Sequence, residues 1–382
     1  MPHSLMIAAI QMAAAPAPTV ARLARAQTLI AQAVQAGAQL IVLPELFNTG
    51  YEYSDANYDR AEPLDGPTLT WMREAAAQHR VYLAGTLLLR EARDIYNALF
   101  LIAPDGKLWR YDKIHPWAWE RAYFRPGTDV TVAETPLGNF GLLICWDMAH
   151  PELWARYAGR VDAMLVCSCP PAMHKVAFEL EDGTRFTADE VGPIARAMQH
   201  AGRNAFGALL RRQAAWLGVP VVNTSGAGYF ASEIPLPRLS ALLYGLFRPD
   251  LWGRIARSER VTVDASYLHE TYIAAATGDV RARVPPGEEG FVVAQVPLLD
   301  APPQTAGPQP AFGLSPFAYL YDHIGNLLLT PVYRRGARRH HGPQMAPVAH
   351  TTQRRWLGAA LLTAAGLLVW SFIRYGRKQR GL

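Results

Sequence analysis

FGLLICWDMAHPELWARY, residues Phe140 to Tyr157, holds a strand, a turn and a short helix in sequence. Phe140 to Ile144 form an unbroken apolar run, which suits a strand buried on both faces. Cys145 ends that run, and Trp146-Asp147 leads into the helix, beyond which VDAMLVCSC (Val161 to Cys169) reads as another apolar strand. Strand, helix and strand in succession form the repeating unit of a layered α/β domain. The alternation continues on both sides. SLMIAAIQM (Ser4 to Met12) reads as a strand, Thr19 caps a helix running to Gln35, and Gly37 lies just past its end. QLIVLPE is an apolar strand closed by Pro44. Pro67 opens the helix WMREAAAQH ahead of the strands RVYLAGTLLL and IYNALFLIA, and Pro104-Asp105-Gly106 supplies a hairpin turn before KLWRYDKIH. RNAFGALLRRQAAWLGVPVVNTSG predicts a helix from about Phe206 to Leu217 and a strand ending near Asn223.

Half of the 382 residues are apolar and 18% are charged, enough for a large core and too apolar for a disordered chain. Cys145, Cys167 and Cys169 are the only cysteines, which suits a reducing compartment better than a disulfide framework. The net charge of +5 is unevenly spread. Residues 331–382 hold ten Arg or Lys and no acid, so residues 1–330 stand at −5. An acidic body makes nucleic acid a poor partner, whereas a basic tail beside an apolar run suits an anionic membrane surface.

That run is Trp356 to Ile373, WLGAALLTAAGLLVWSFI, with no charged residue. At about 1.5 Å per residue its length is roughly 27 Å, enough to cross the hydrocarbon core. Trp356 and Trp370 lie near its ends, and Arg354, Arg355, Arg374, Arg377, Lys378 and Arg380 flank it. The competing reading, a buried or amphipathic terminal helix, lacks a polar face at helical spacing. The expected organisation is a catalytic body over 1–300, a Pro-rich then basic linker over 301–355, a transmembrane helix over 356–373 and a basic tail over 374–382. Met1 to Leu5 carries no basic n-region, so a cytoplasmic body tethered at its C-terminal end is expected. FAYLYDHIGNLLLTPVY, within the linker, reads as an interfacial helix or a returning arm.

The chemistry gathers at strand ends. A lone cysteine such as Cys145 is ordinarily a core residue. Nucleophilic catalysis also needs a base for the thiol proton and a donor for the oxyanion. LIVLPELFNTGY places Glu45 after an apolar strand, and YDKIHPWAWERAYFRPG places Lys113 after another, with Glu120 seven residues on. Each charge alone would read as a solvent-facing strand end. Cys167 and Cys169 with His174 have the wrong spacing for zinc and read as core, so no metal is expected.

Taken together, LIVLPELFNTGY, YDKIHPWAWERAYFRPG and FGLLICWDMAHPELWARY resemble the Glu, Lys and Cys blocks of the nitrilase superfamily of carbon–nitrogen hydrolases. The resemblance covers residues 4–228, with a weaker match from Glu289 to Leu298. It implies a four-layer αββα sandwich that forms a homodimer or larger assembly and needs no cofactor. It further implies Glu45 as base, Cys145 as nucleophile, Lys113 with the Trp146 N–H as oxyanion donors, and Glu120 orienting Lys113 or the substrate. Trp117, Trp119, Tyr123 and Asp147 are the candidate pocket residues. Phe124 joins the aromatic set, for which core packing is the competing reading.

Cys145-Trp146-Asp147 combines the Trp typical of nitrilases with the Asp of amidase-like branches, which favours an amide over a nitrile substrate. The chain departs from the family pattern at Ala231 to Arg260, where IPLPRLSALLYGLFRPDLWGRI is apolar enough for a lid, partner surface or membrane contact. With the tether, it suggests a lipid-like substrate. Two other functions fit the same residues: transfer of the acyl group from the thioester to an amine, and a membrane-anchored scaffold without turnover.

Overall fold

The computed structural model describes residues 3–172, 176–187, 190, 201–245, 248–312, 314 and 316–342. Its first sheet has the order β12-β1-β2-β3-β4-β5, and β17 also pairs with β1. These are Ser225–Ala227, His3–Ala13, Leu40–Val42, Tyr82–Glu91, Asp94–Ile102, Leu108–Asp112 and, for β17, Gly290–Leu298. The second sheet has the order β16-β15-β11-β8-β7-β6. Its strands are Val280–Arg283, Tyr272–Ala274, Val221–Asn223, Ala163–Cys167, Gly138–Ile144 and Val132–Thr135.

Side-chain alternation along β1 shows how the layers form. Ala8, Ile10 and Met12 pack against Ala26, Leu29 and Ile30 of helix α1 (Thr19–Gln35) and Leu69, Met72 and Ala76 of helix α3 (Pro67–His79). Leu5, Ile7 and Ala9 point the other way, into a core shared with Phe140, Leu142, Val166 and Val221 of the second sheet. Helices α4 (Pro151–Tyr157) and α6 (Leu210–Leu217) contribute Leu153, Tyr157, Leu210 and Ala214 to that same core. Tyr157 ties α4 to the sheet by donating its hydroxyl to the Leu142 carbonyl at 2.6 Å. Strands buried on both faces must be apolar at every position, which is why these read as runs rather than alternations. The expected αββα layering therefore follows from the two clusters. Two short helices, α2 (Ala56–Arg60) and α5 (Ala201–Asn204), complete this part of the chain.

The apolar stretch over 231–260 builds its own layer. β13 (Tyr229–Glu233) and β14 (Val261–Ser266) flank helices α7 (Pro237–Tyr244) and α8 (Pro249–Arg257). Together with β9 (Ala177–Leu180) and β10 (Arg185–Thr187), the two strands form a separate antiparallel sheet of order β10-β9-β14-β13. Phe178, Phe186, Phe230 and Val263 of that sheet are buried, and so are Ile234, Ala241, Leu251 and Ile255 of the stretch itself, whereas its Leu239, Leu242 and Trp252 are exposed.

The described part of the stretch expected as linker is docked on the body. The Trp216 indole donates to Gly307 O at 3.0 Å, Gln213 donates to Pro310 O at 2.8 Å, and Ala306 N–H donates to Trp216 O at 2.9 Å. Proline removes N–H donors but leaves carbonyls to accept, so a Pro-rich segment can be held this way. It leads into helix α9 (Pro316–His341), which buries Leu329, Tyr333 and Ala337. Tyr333 Oη donates to Asp94 Oδ1 at 2.8 Å and accepts from Ile95 N–H at 3.0 Å. Of the two readings of FAYLYDHIGNLLLTPVY, the returning arm describes its place. No helix among the described residues is long and apolar enough to cross a membrane. The run Trp356 to Ile373, expected as a transmembrane helix, lies outside the described residues.

Candidate active site

Four side chains from three separate blocks meet where the sheets face each other. β2 delivers Glu45, the end of β5 delivers Lys113, a 3₁₀ turn (Ala118–Ala122) carries Glu120, and Cys145 follows β7 at the start of a second 3₁₀ turn (Cys145–Ala149). All four are buried. Lys113 Nζ lies 2.7 Å from Glu45 Oε1 and is gripped by both oxygens of Glu120, at 2.9 Å from Oε1 and 2.7 Å from Oε2. One ammonium therefore bridges two carboxylates away from solvent.

Backbone conformation fixes these positions. Cys145 has φ +47°, Leu46, after Glu45, has φ +49°, and Ala118, at the start of the Glu120 turn, has φ +44°. A non-glycine residue in this region costs of order 1–3 kcal/mol and persists only where its surroundings over-determine it. Here the surroundings are hydrogen bonds: Leu46 N–H donates to Thr86 Oγ1 at 2.7 Å, and Trp117 N–H donates to Glu120 Oε2 at 2.7 Å. Trp146 follows Cys145 in the first turn of its 3₁₀ segment, where N–H groups have no partner within the helix and are available to an oxyanion.

The charges are arranged for proton transfer. Burial, opposed by Lys113 and reinforced by the Glu120 charge, pushes the Glu45 carboxyl up to about 7. Burial and then the Glu45 charge raise the Cys145 thiol well above its ordinary value. Burial disfavours the Lys113 ammonium, but Glu120 and Glu45 outweigh it and hold the amine charged. The cysteine thus rests as a thiol beside a carboxylate poised near neutrality, the range in which a general base works best.

Sequence reasoning missed the supports of this cluster. Asn97 donates its side-chain amide to Glu45 Oε1 at 2.8 Å, and its carbonyl accepts the Lys113 N–H at 2.9 Å, so one residue sets both partners. A single Asn inside the otherwise apolar IYNALFLIA was the available signal. Tyr51 donates its hydroxyl to Glu120 Oε1. The predicted pocket residues divide. Trp117 and Trp146 face one another with ring centroids 6.3 Å apart, and Trp119 borders a narrow cleft with Leu236, Leu239, Ile324 and Leu328 while donating to Ser240 Oγ at 3.1 Å. Asp147 instead turns inward: it accepts from His115 N–H at 2.6 Å and from Tyr111 Oη at 2.7 Å, bracing the nucleophile turn. Tyr123 packs edge-on against Tyr58 at 6.0 Å. Phe124 is buried in the core, and so are Cys167 and Cys169; His174 lies outside the described residues.

The family model described as carbon-nitrogen hydrolase matches residues 6–302. Over 133 residues the chain is 34% identical to a nitrilase of Pyrococcus abyssi, covering 34% of this chain and 50% of the relative. Over 157 residues it is 33% identical to an omega-amidase of Mus musculus, covering 38% and 56% respectively. The chain spans about half the length of the curated relatives it matches. Among solved structures, a carbon-nitrogen hydrolase of Helicobacter pylori G27 superposes with TM-score 0.57 at 19% identity, covering 77% of this chain and 89% of its own. An amidase of Nesterenkonia sp. superposes with TM-score 0.55 at 19% identity, covering 77% and 90%.

Proposed function

This chain belongs to the carbon–nitrogen hydrolase family, and from that premise we propose that it hydrolyses a non-peptide amide through a thioester on Cys145. The observation that carries the reading is the buried Lys113 ammonium bridging Glu45 and Glu120 beside a cysteine held at positive φ. Glu45 takes the thiol proton as Sγ attacks the carbonyl carbon. Lys113 Nζ and the Trp146 N–H receive the oxyanion, a contribution of roughly 3–4 kcal/mol for a well-placed donor. The proton passes from Glu45 to the departing nitrogen, ammonia or an amine leaves, and the thioester remains. Glu45 then takes a proton from water, whose oxygen attacks the thioester, releasing the acid and restoring the thiol. Every step uses a group already in place and needs no cofactor.

Amide is favoured over nitrile by the Trp146-Asp147 pair after the nucleophile; the sequence relatives include both a nitrilase and an omega-amidase, and an amidase shares the fold. One structure of the Nesterenkonia amidase carries the acetamide moiety of fluoroacetamide on its active-site cysteine, and another holds butyramide. Ammonia release from a panel of short and long amides tests the reading. Wild type is expected to turn over at least one amide and Cys145→Ala none; equal signal from both proteins would overturn it.

The same proposal places the body at a membrane, through the apolar run Trp356 to Ile373, with the body on the cytoplasmic side and a lipid-like amide as substrate. Support comes from α7 and α8, where Leu239, Leu242 and Trp252 are exposed beside the exposed arginines Arg238, Arg254 and Arg257. A groove of about 410 Å³ lined by Leu236, Pro237, Leu239, Arg238 and Glu259 adjoins them. Assembly as a homodimer or larger oligomer belongs to the proposal through the family resemblance.

A further inference from the structure

Two histidines and a carboxylate that the proposed reaction does not use come together beside the nucleophile turn. His115 lies two residues past Lys113, while His150 and Glu152 lie at the start of α4, just past the turn that Cys145 opens. The two imidazoles stack with centroids 3.4 Å apart and planes 2° from parallel. Both aim a nitrogen at one oxygen: His150 Nδ1 is 3.2 Å and His115 Nε2 is 3.5 Å from Glu152 Oε1. All three ligand atoms fall within 4.8 Å of one another.

We propose that His115, His150 and Glu152 form a binding site for a divalent transition metal of the zinc class, with water as the fourth ligand. Two imidazoles and one carboxylate are a ligand set that zinc accepts in tetrahedral geometry. With metal–ligand bonds of roughly 2.0–2.1 Å, tetrahedral ligand atoms stand about 3.3 Å apart, and the two nitrogen–oxygen separations of 3.5 and 3.2 Å lie on either side of that value.

A metal must lie near the plane of each ring it binds, so one imidazole has to turn about its Cβ–Cγ bond. His115, with 24% of its side chain exposed, has that freedom. His150 is held between the edges of Trp146 at 6.2 Å and Tyr319 at 5.6 Å and supplies the fixed ligand. Glu152, at 61% exposure, leaves the site open to an ion from solvent. Occupancy would tie the segment after Lys113 to the turn after Cys145, adding a brace parallel to the Asp147–His115 hydrogen bond. The ion would sit outside the Glu45–Lys113–Cys145 cluster and stiffen it without joining the reaction.

The test uses the full chain without a histidine tag, titrated with ZnCl₂ by calorimetry and followed by thermal unfolding. One Zn²⁺ per chain and a concentration-dependent rise in Tm are expected. Glu152→Gln changes an exposed side chain and is expected to preserve the fold while weakening binding ~10–100-fold; His150→Gln should do the same. With CoCl₂ as probe, an imidazole and carboxylate site lacks the intense thiolate charge-transfer band that ligation by a cysteine produces. No binding, unchanged affinity in Glu152→Gln, or a thiolate band accounting for the bound cobalt would each overturn the proposal.

Discussion

Glu45 carries two demands that conflict: it must be buried to meet the Cys145 thiol, and it must be ionised to accept the proton. Burial raises the carboxyl and the Lys113 ammonium 2.7 Å away opposes it, leaving it at about 7, while the Asn97 amide at 2.8 Å holds the same oxygen in place. Because a general base works in its ionised form, activity is lost as the pH falls through that value. The kcat/KM profile of the free enzyme should therefore rise with pH on a limb centred near 7. Glu45→Gln should lower the plateau by at least ~10²-fold and remove the limb, measured on one amide between pH 5 and 9. A limb unchanged in that variant would assign it to another group. Glu45, Lys113 and Cys145 were legible because they follow strands inside three recognisable blocks, and Glu120 because it shares the block of Lys113. Asn97 and Tyr51 were not: Asn97 reaches Glu45 and Lys113 only through the pairing of Ala98 with Asp112 across β4 and β5, a register no local pattern specifies.

At the scale of elements, the turn carrying Glu120 is held from outside by α9. Tyr58 donates its hydroxyl to Ala122 O at the end of that turn, and its ring stacks on His340 of α9 with centroids 5.0 Å apart. Gly336 is the contact that allows this approach, since a Cβ there would collide with the Tyr58 phenol ring. Gly336→Ala should cost about 1–3 kcal/mol of stability, as overpacking does. It should also lower kcat by loosening the Glu120 turn, which denaturant unfolding and steady-state kinetics together can check. Unchanged stability and rate would mean that α9 rests on the body without bracing it. The sequence reading left α9 within an expected linker, with a returning arm as one of two readings, because a Pro-rich entry and a basic exit look like a solvated linker. Its docking depends on Tyr333, Leu329 and Ala337, three residues whose burial is visible only once the body is present. The insertion over 231–260 divides in a way composition does not reveal: Ile234, Ala241, Leu251 and Ile255 are buried, while Leu239, Leu242 and Trp252 stay exposed.

For the whole molecule, layers were easier to read than boundaries. Apolar runs alternating with helices pointed to a layered α/β domain, and only the family resemblance implied two sheets; α1 and α3 pack on the first, and α4 and α6 add to the core of the second. The membrane proposal is tested at this scale too. The full chain should sediment with anionic phospholipid vesicles, and a chain ending at Gly342 should stay in solution with its hydrolysis of soluble amides intact. If the shortened chain matches the full chain on a vesicle-borne lipid amide, the tether has no part in substrate access. Intact-protein mass spectrometry during slow amide turnover bears most directly on the central claim. A single adduct is expected on Cys145, of the mass of the substrate less ammonia or amine, appearing in wild type and absent from Cys145→Ala. Turnover without that adduct under conditions where deacylation limits the rate, or the same adduct in Cys145→Ala, would contradict it.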